Sequence, residues 1–248
     1  MKVIICAAGQ GRRLMPYTKR IPKCLVRIGR KRILEYALDN LSACGIRDVV
    51  IVIGYKADIF RKIIGKRYKS CRIIYCVNKN YDKTDNMYSL WEARDYINDG
   101  FVFLNADILF NIKILQILLA SPYPDVAVVD DKIKLEKSAM KLKIKKGIIT
   151  KIGRNLSDGN ARAIGIYKYS PEGAKQYFKE IKKVISNNKN RVTIGKKFGQ
   201  IEIAIERFLK NFQMRTIKTE NLAWQEIDDI KDLQKAKKRL KLILKNDY

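Results

Sequence analysis

Histidine is missing from all 248 residues, and that absence excludes a good deal of chemistry. No Ser-His-Asp or Cys-His machinery, no histidine general base and no His-containing zinc site can be built from this chain. Cysteine is sparse at 5 residues, an odd number, and Cys6, Cys24, Cys44, Cys71 and Cys76 contain no C-x-x-C pair. Most lie in apolar runs, so they read as buried free thiols of a reducing compartment rather than a disulfide framework. No apolar run approaches the roughly 20 residues that span a bilayer. The opening MKVIICAAGQGRR places its basic residues after the apolar stretch, the reverse of a secretion signal, and predicts a first buried strand in a cytoplasmic protein. Acidic residues are also few: 25 Asp+Glu stand against 52 Lys+Arg, a formal charge of +27.

Hydrophobic residues make up 47% and charged residues 31%, a globular composition with enough chain for a real core. The positive charge has two readings: a Lys-rich bias on solvated faces, or attraction of polyanionic substrates. Lys and Arg run along the whole chain without a basic tail or stripe, so no nucleic-acid partner is expected. A non-enzymatic basic nucleic-acid-binding module is the remote alternative.

Short apolar runs alternate with amphipathic stretches. Strands are predicted at 2–7, 48–54, 72–77, 101–105 and 125–129, and helices at 33–44, 58–64, 86–97 and 112–119. This β-α-β order predicts an α/β fold, a mostly parallel, Rossmann-like open sheet flanked by helices. The pattern then turns β-rich. Runs at 140–145 and 148–152 flank Lys146-Gly147 as a hairpin, and 163–169 is a further strand. Helices are predicted at 171–186, opened by Ser170 as cap, at 201–212 and at 229–244. No linker interrupts the chain, so one domain is expected over 1–248, with parts at 1–130 and 131–248, the second an inserted or appended β-rich half.

In open α/β sheets ligands bind beyond the carboxyl ends of the strands, and the unusual residues cluster there. After the first strand, Gly9 and Gly11 let the backbone approach a phosphate, with Arg12, Arg13, Lys19, Arg20 and Lys23 adding positive charge. Leu14 stands where a dinucleotide fingerprint needs its third glycine, and no Walker A sequence is present. Asp107 ends a buried apolar run, where it suits a divalent cation or a helix cap. Asp228 and Asp229 suit the same cation or the start of the last helix.

Residues 1–25, with the form GxGxRLxPxTxxxPKxL, resemble the signature of nucleoside-triphosphate transferases of the sugar-phosphate and phosphocholine kind. Asn78-Lys79-Asn80-Tyr81, the run from Thr84 to Trp91, Asn105-Ala106-Asp107 and Trp224-x-Glu226-Ile227-Asp228 resemble the phosphocholine cytidylyltransferase-like branch. The resemblance implies Mg²⁺-dependent transfer of a nucleotidyl group, CMP from CTP being favoured, to a small phosphorylated acceptor such as phosphocholine, with release of pyrophosphate. A sugar-1-phosphate or inositol-phosphate nucleotidyltransferase is the alternative. It further implies that Ala8, Gly9, Gly11, Arg13 and Lys23 contact the nucleotide, with Arg13 and Lys23 catalytic. Asn86 and Ser89 would lie near base and ribose, and Asp107 and Asp228 would hold Mg²⁺. Acceptor contacts are expected from Tyr81, Lys141, Arg162, Tyr167 and Trp224, aromatic faces being what a quaternary ammonium requires. The chain departs from the pattern at Ala106 (commonly Gly), Asp85 (commonly Asn) and Arg162, where relatives often carry Glu.

Overall fold

The computed structural model describes residues 1–97, 99–137, 139–187 and 201–245. The first half contains β1 (Lys2–Cys6), β2 (Arg27–Ile28), β3 (Lys31–Arg32), α1 (Ile33–Ala43), β4 (Asp48–Ile53), α2 (Ala57–Ile63), β5 (Arg67–Tyr68) and β6 (Cys71–Val77). It continues through α3 (Asn86–Glu92), β7 (Phe101–Asn105), β8 (Ile108–Phe110), α4 (Ile112–Ala120) and β9 (Val126–Asp130). The second half contains β10 (Lys141–Lys145), β11 (Ile148–Gly153), β12 (Ala161–Tyr169), α5 (Pro171–Asn187), α6 (Ile201–Leu209), β13 (Arg215–Lys218), β14 (Trp224–Glu226) and α7 (Ile230–Ile243).

Ten strands form one mixed sheet in the order β10-β11-β13-β9-β12-β7-β1-β4-β6-β5. The pairs β7–β1, β1–β4 and β4–β6 are parallel, as the β-α-β order predicts. The β-rich part does not fold away as a separate sheet. Its long strand β12 pairs antiparallel with β7 and β9 and so extends the same sheet. Successive residues of β1 feed opposite faces: Val3 and Ile5 pack with α1, α2 and α4, whereas Ile4 and Cys6 pack with α3, α5 and α6. Burial on both faces is why these strands read as unbroken apolar runs. A third cluster seats α7, through Leu233, Ala236 and Ile243, on Leu14, Val26 and Ile28 of the segment that follows β1.

Boundaries move for identifiable reasons. The run at 125–129 becomes Val126–Asp130 because the Asp125 carboxylate accepts from the Ser170 N–H and hydroxyl, each at 3.0 Å, just ahead of the strand. Ser170 caps α5 as expected, accepting from the Gly173 N–H at 2.9 Å. The helix predicted at 86–97 stops at Glu92; a separate 3-10 turn follows at Arg94–Tyr96, with the Arg94 guanidinium 4.5 Å from the Trp91 ring centroid. The helix predicted at 201–212 ends at Leu209. All five cysteines are free, four of them buried. Among the described residues no helix is long and apolar enough to cross a membrane.

Candidate active site

Because β1, β4, β6 and β7 run in one direction, their carboxyl ends open on a common edge of the sheet. A cleft of about 450 Å³ lies there. Gly9, Gln10, Gly11, Arg12, Arg13 and Lys23 line it from the segment after β1, and Asp85 and Asn86 from the start of α3. Asn105 at the end of β7 and Ala106 and Asp107 beyond it also line it, with Arg154, Glu226 and Asp228 from the second half. Gly11 has φ +61°, and a Cβ there would sit 2.8 Å from the Lys23 Cβ, so only glycine lets the loop fold over Lys23. The Thr18 hydroxyl fixes that fold by donating to the Gly11 carbonyl at 2.8 Å.

Two short strands bring distant acids together. β8 pairs antiparallel with β14, placing Glu226 opposite Ile108, and the Ile227 N–H donates to the Asp107 carbonyl at 2.9 Å. Carboxylate oxygens of Asp107, Glu226 and Asp228 lie within 4.8 Å of one another. Lys23 bridges two of the three, donating from Nζ to Asp107 Oδ2 at 2.5 Å and to Asp228 Oδ1 at 3.0 Å. Arg13 reaches the same Asp228 oxygen at 3.1 Å. Asp229, by contrast, is the cap of α7, accepting from the Asp232 N–H at 2.9 Å. Of the two neighbouring aspartates, Asp229 caps the helix, whereas Asp228 faces Lys23 and Arg13.

The electrostatics follow from this crowding. Burial alone lowers the affinity of the Lys23 ammonium for its proton, but Asp107 and Asp228 outweigh it and hold Lys23 above the ordinary lysine range. Burial raises the Asp228 carboxyl, yet Lys23 and Arg13 bring it below the usual value. Glu226 goes the other way, pushed up to about 7 by burial and then by the charges of Asp107 and Asp228, with Arg162 opposing. One buried oxygen, Asp107 Oδ1, has no hydrogen-bond partner. An all-oxygen, anionic donor set with an unused buried lone pair suits a hard divalent cation such as Mg²⁺.

The remaining expected residues are placed unequally. Ala8 is buried at the strand end, its carbonyl accepting from the Tyr55 N–H at 3.0 Å. Asn86 lines the cleft at the first turn of α3, whose cap is the Asp85 carboxylate at 2.8 Å from the Asn86 N–H. Ser89 does not line it; its buried hydroxyl accepts from Asn78 Nδ2 at 3.0 Å, an amide that also donates to Thr84. Tyr167 is buried in the sheet's core beside Phe103 and Tyr169, at ring separations of 5.9 and 6.4 Å. Tyr81 packs near Tyr55 at 6.3 Å, and Lys141 opens β10 opposite Arg162; none of the three expected residues Tyr81, Lys141 and Arg162 lines the cleft, Arg162 standing behind its Glu226. Trp224 is buried, donating from Nε1 to Asp130 Oδ2 at 2.8 Å, with the Arg162 guanidinium 5.1 Å from its ring centroid. The expected aromatic cage is therefore not assembled from Tyr81, Tyr167 and Trp224.

Glu226 stands in a motif quoted from the sequence but was given no role there, and Arg154 was not singled out. Glu226 carried a signal: in an extended segment it shares a face with Asp228, two residues on. Arg154 follows a β-strand in an unremarkable basic stretch and carries none.

A protein-family model described as nucleotidyl transferase matches residues 2–121. The CTP:phosphoglutamine cytidylyltransferase of Campylobacter jejuni is 30% identical over 189 residues, 68% of this chain and 73% of that protein. The choline-phosphate cytidylyltransferase of Streptococcus pneumoniae is 33% identical over 123 residues, 50% of this chain; the match spans about half of that relative, 52%. A solved structure of the CTP:phosphocholine cytidylyltransferase from Streptococcus pneumoniae superposes with a TM-score of 0.73 at 22% identity, covering 96% of this chain and 98% of that one.

Proposed function

This chain belongs to the nucleotidyl transferase family and is an enzyme of that kind, and from that premise we propose that it transfers CMP from CTP to a phosphate oxygen of a small phosphomonoester. The observation that carries the reading is the convergence of Lys23, Arg13, Asp107, Glu226 and Asp228 at one end of the glycine-rich cleft. Cytidylyltransferase relatives support CTP as the donor.

In the proposed reaction an oxygen of the phosphomonoester attacks the α-phosphorus of the nucleotide. The bond from that phosphorus to the bridging oxygen of the β-phosphate breaks, and pyrophosphate leaves with the electron pair. A phosphomonoester has a second pKa of ~6, so the nucleophile is already deprotonated at neutral pH. No general base is needed, which fits a chain without histidine. The task is to hold two polyanions in line and offset their repulsion. Gly9 and Gly11 offer close backbone approach to the triphosphate, and Arg13 and Lys23 offer fixed positive charge beside it. Asp107 and Asp228, with Glu226 beside them, are the residues that would hold Mg²⁺, which supplies Lewis-acid stabilisation of phosphoryl charge when bound. Residues 1–130 serve the nucleotide in this reading, and residues 131–248 the acceptor.

Incubation with Mg²⁺, with CTP, UTP or dTTP in turn, and with a panel of phosphomonoesters tests the proposal by pyrophosphate release. CTP is expected to give the highest kcat/KM. Preference for UTP or dTTP with a sugar 1-phosphate would replace the cytidylyl reading, and no release with any pair would overturn the transfer itself.

A further inference from the structure

Arg162 is the second residue of β12 and has little contact with water, its side chain only 14% exposed. It donates from one terminal nitrogen to Glu226 Oε2 at 2.5 Å, which ties it to a residue of the cleft. Its guanidinium carbon lies 5.1 Å from the centroid of Trp224, and that indole is itself held by Asp130 at 2.8 Å. Strand register puts Lys141 and Asp130 on either side of it. The arrangement is therefore rigid, and one donor in it is unused: Arg162 Nε is buried and has no hydrogen-bond partner.

An unpaired buried donor costs on the order of 1–3 kcal/mol, so a site that retains one gains when an acceptor atom arrives. A quaternary ammonium has no acceptor atom to offer. Nor does it find the indole face it would need, because a guanidinium is already stacked there. A carboxylate, carboxamide or hydroxyl oxygen meets the opposite conditions, with charge-assisted hydrogen bonding to the guanidinium as its reward.

Resting on the nucleotidyl-transfer reading above, we propose that Arg162 is the specificity residue for the acceptor, selecting phosphomonoesters whose far end carries an oxygen acceptor and turning away those that end in a quaternary ammonium.

The full chain is assayed with CTP and Mg²⁺ against phosphocholine, glycerol 3-phosphate and 3-phosphoglycerate. The wild type is expected to favour at least one of the two oxygen-ended acceptors over phosphocholine by at least about tenfold in kcat/KM. Arg162→Gln, which keeps a donor but loses the charge, and Arg162→Leu, which loses both, are expected to lower that ratio at least about fivefold. The change should fall on the acceptor KM rather than on the CTP KM. A residue that merely braces Glu226 would lower turnover of all three acceptors together and leave the ratio where it was. Phosphocholine as the best wild-type acceptor, or a ratio unmoved in both folded variants, overturns the assignment. Should neither variant fold by circular dichroism, the wild-type ratio decides alone. Pyrophosphate release with none of the three, in protein that binds CTP by calorimetry, also overturns it, whereas absence of CTP binding overturns the nucleotidyl-transfer reading beneath it.

Discussion

Lys23→Met is the sharpest probe of the charge cluster, because it removes the ammonium while nearly preserving the volume of the side chain. The Lys23 Nζ lies 2.5 Å from an Asp107 oxygen and 3.0 Å from an Asp228 oxygen. At an effective dielectric of about 20, each contact is a gross attraction of about 6 kcal/mol, most of it offset by desolvation of the three groups. What the substitution exposes is the cost of leaving acids together without their cation. That cost is about 3–5 kcal/mol for a fully buried set. Here the side chains are 18–26% exposed and Arg13 stays on Asp228, so a loss of about 2–3 kcal/mol is expected. For a chain of this size that is a fall in Tm of roughly 5–10 °C at pH 7. The pH dependence has a definite sign. The folded Asp228 carboxyl lies below its unfolded value, so its contribution is present above about 3.9 and lost as pH falls through the folded value. The folded Lys23 lies above its unfolded value, so its share persists at every pH below about 10.4. In the variant Asp228 loses the Lys23 charge that lowers its carboxyl and takes up its proton at higher pH, so the deficit should narrow between pH 7 and pH 5. Thermal denaturation without added metal at the two pH values is the assay. A variant within about 2 °C of wild type at pH 7, or a deficit that does not narrow on acidification, would refute the reasoning.

Asp107→Asn and Asp228→Asn each remove one anionic oxygen with little change in volume, and each is expected to cut turnover about 100-fold or more. Titration of Mn²⁺ into either variant should show affinity weakened at least about tenfold, and near-normal activity at limiting Mg²⁺ would remove that residue from the metal site. Gly165→Ala tests the packing behind Asn105: Gly165 has φ +84°, and a Cβ there would press into the Asn105 side chain, 2.8 Å from its Cγ. A loss of about 1–3 kcal/mol by urea denaturation and a raised CTP KM are expected, since Asn105 lines the cleft. An unchanged urea midpoint would show that Asn105 moves aside freely.

Legibility in the sequence tracked how local each signal was. The strand at 101–105 could be read to the residue because burial on both faces leaves an apolar run with sharp ends. The helix at 33–44 ended one residue early for a comparably local reason, its cap at Cys44. β8 and β14 were missed because each spans three residues and acquires meaning only from the other, across more than a hundred positions. Without that pairing, nothing in the motif around Glu226 brings it beside Asp107. Ser89 shows the converse error. The resemblance placed it near base and ribose, but here a buried amide from Asn78 donates to its hydroxyl. Tyr167 was named as an aromatic ring beside a matched motif; β12 is buried on both faces, so alternation along it cannot separate a site residue from a core one.

The net charge of +27 also needs relocating. Of the charged residues lining the cleft, Arg12, Arg13, Lys23 and Arg154 stand against Asp85, Asp107, Glu226 and Asp228, four against four. The excess of the whole chain is thus not concentrated at the site, and bulk attraction cannot be what holds a triphosphate there. Screening over about 8–10 Å further weakens what the distant lysines contribute. Selectivity must come from position: Lys23 and Arg13 sit directly on the acids beside the glycine-rich segment, and Asp107 keeps an oxygen without a partner. With Glu226 pushed up to about 7, the lining carries at most a small net positive charge, so an entering polyanion gains little net attraction unless a further cation accompanies it. The acids that seem misplaced in a phosphate site are what would recruit that cation, and Lys23 balances them until it arrives.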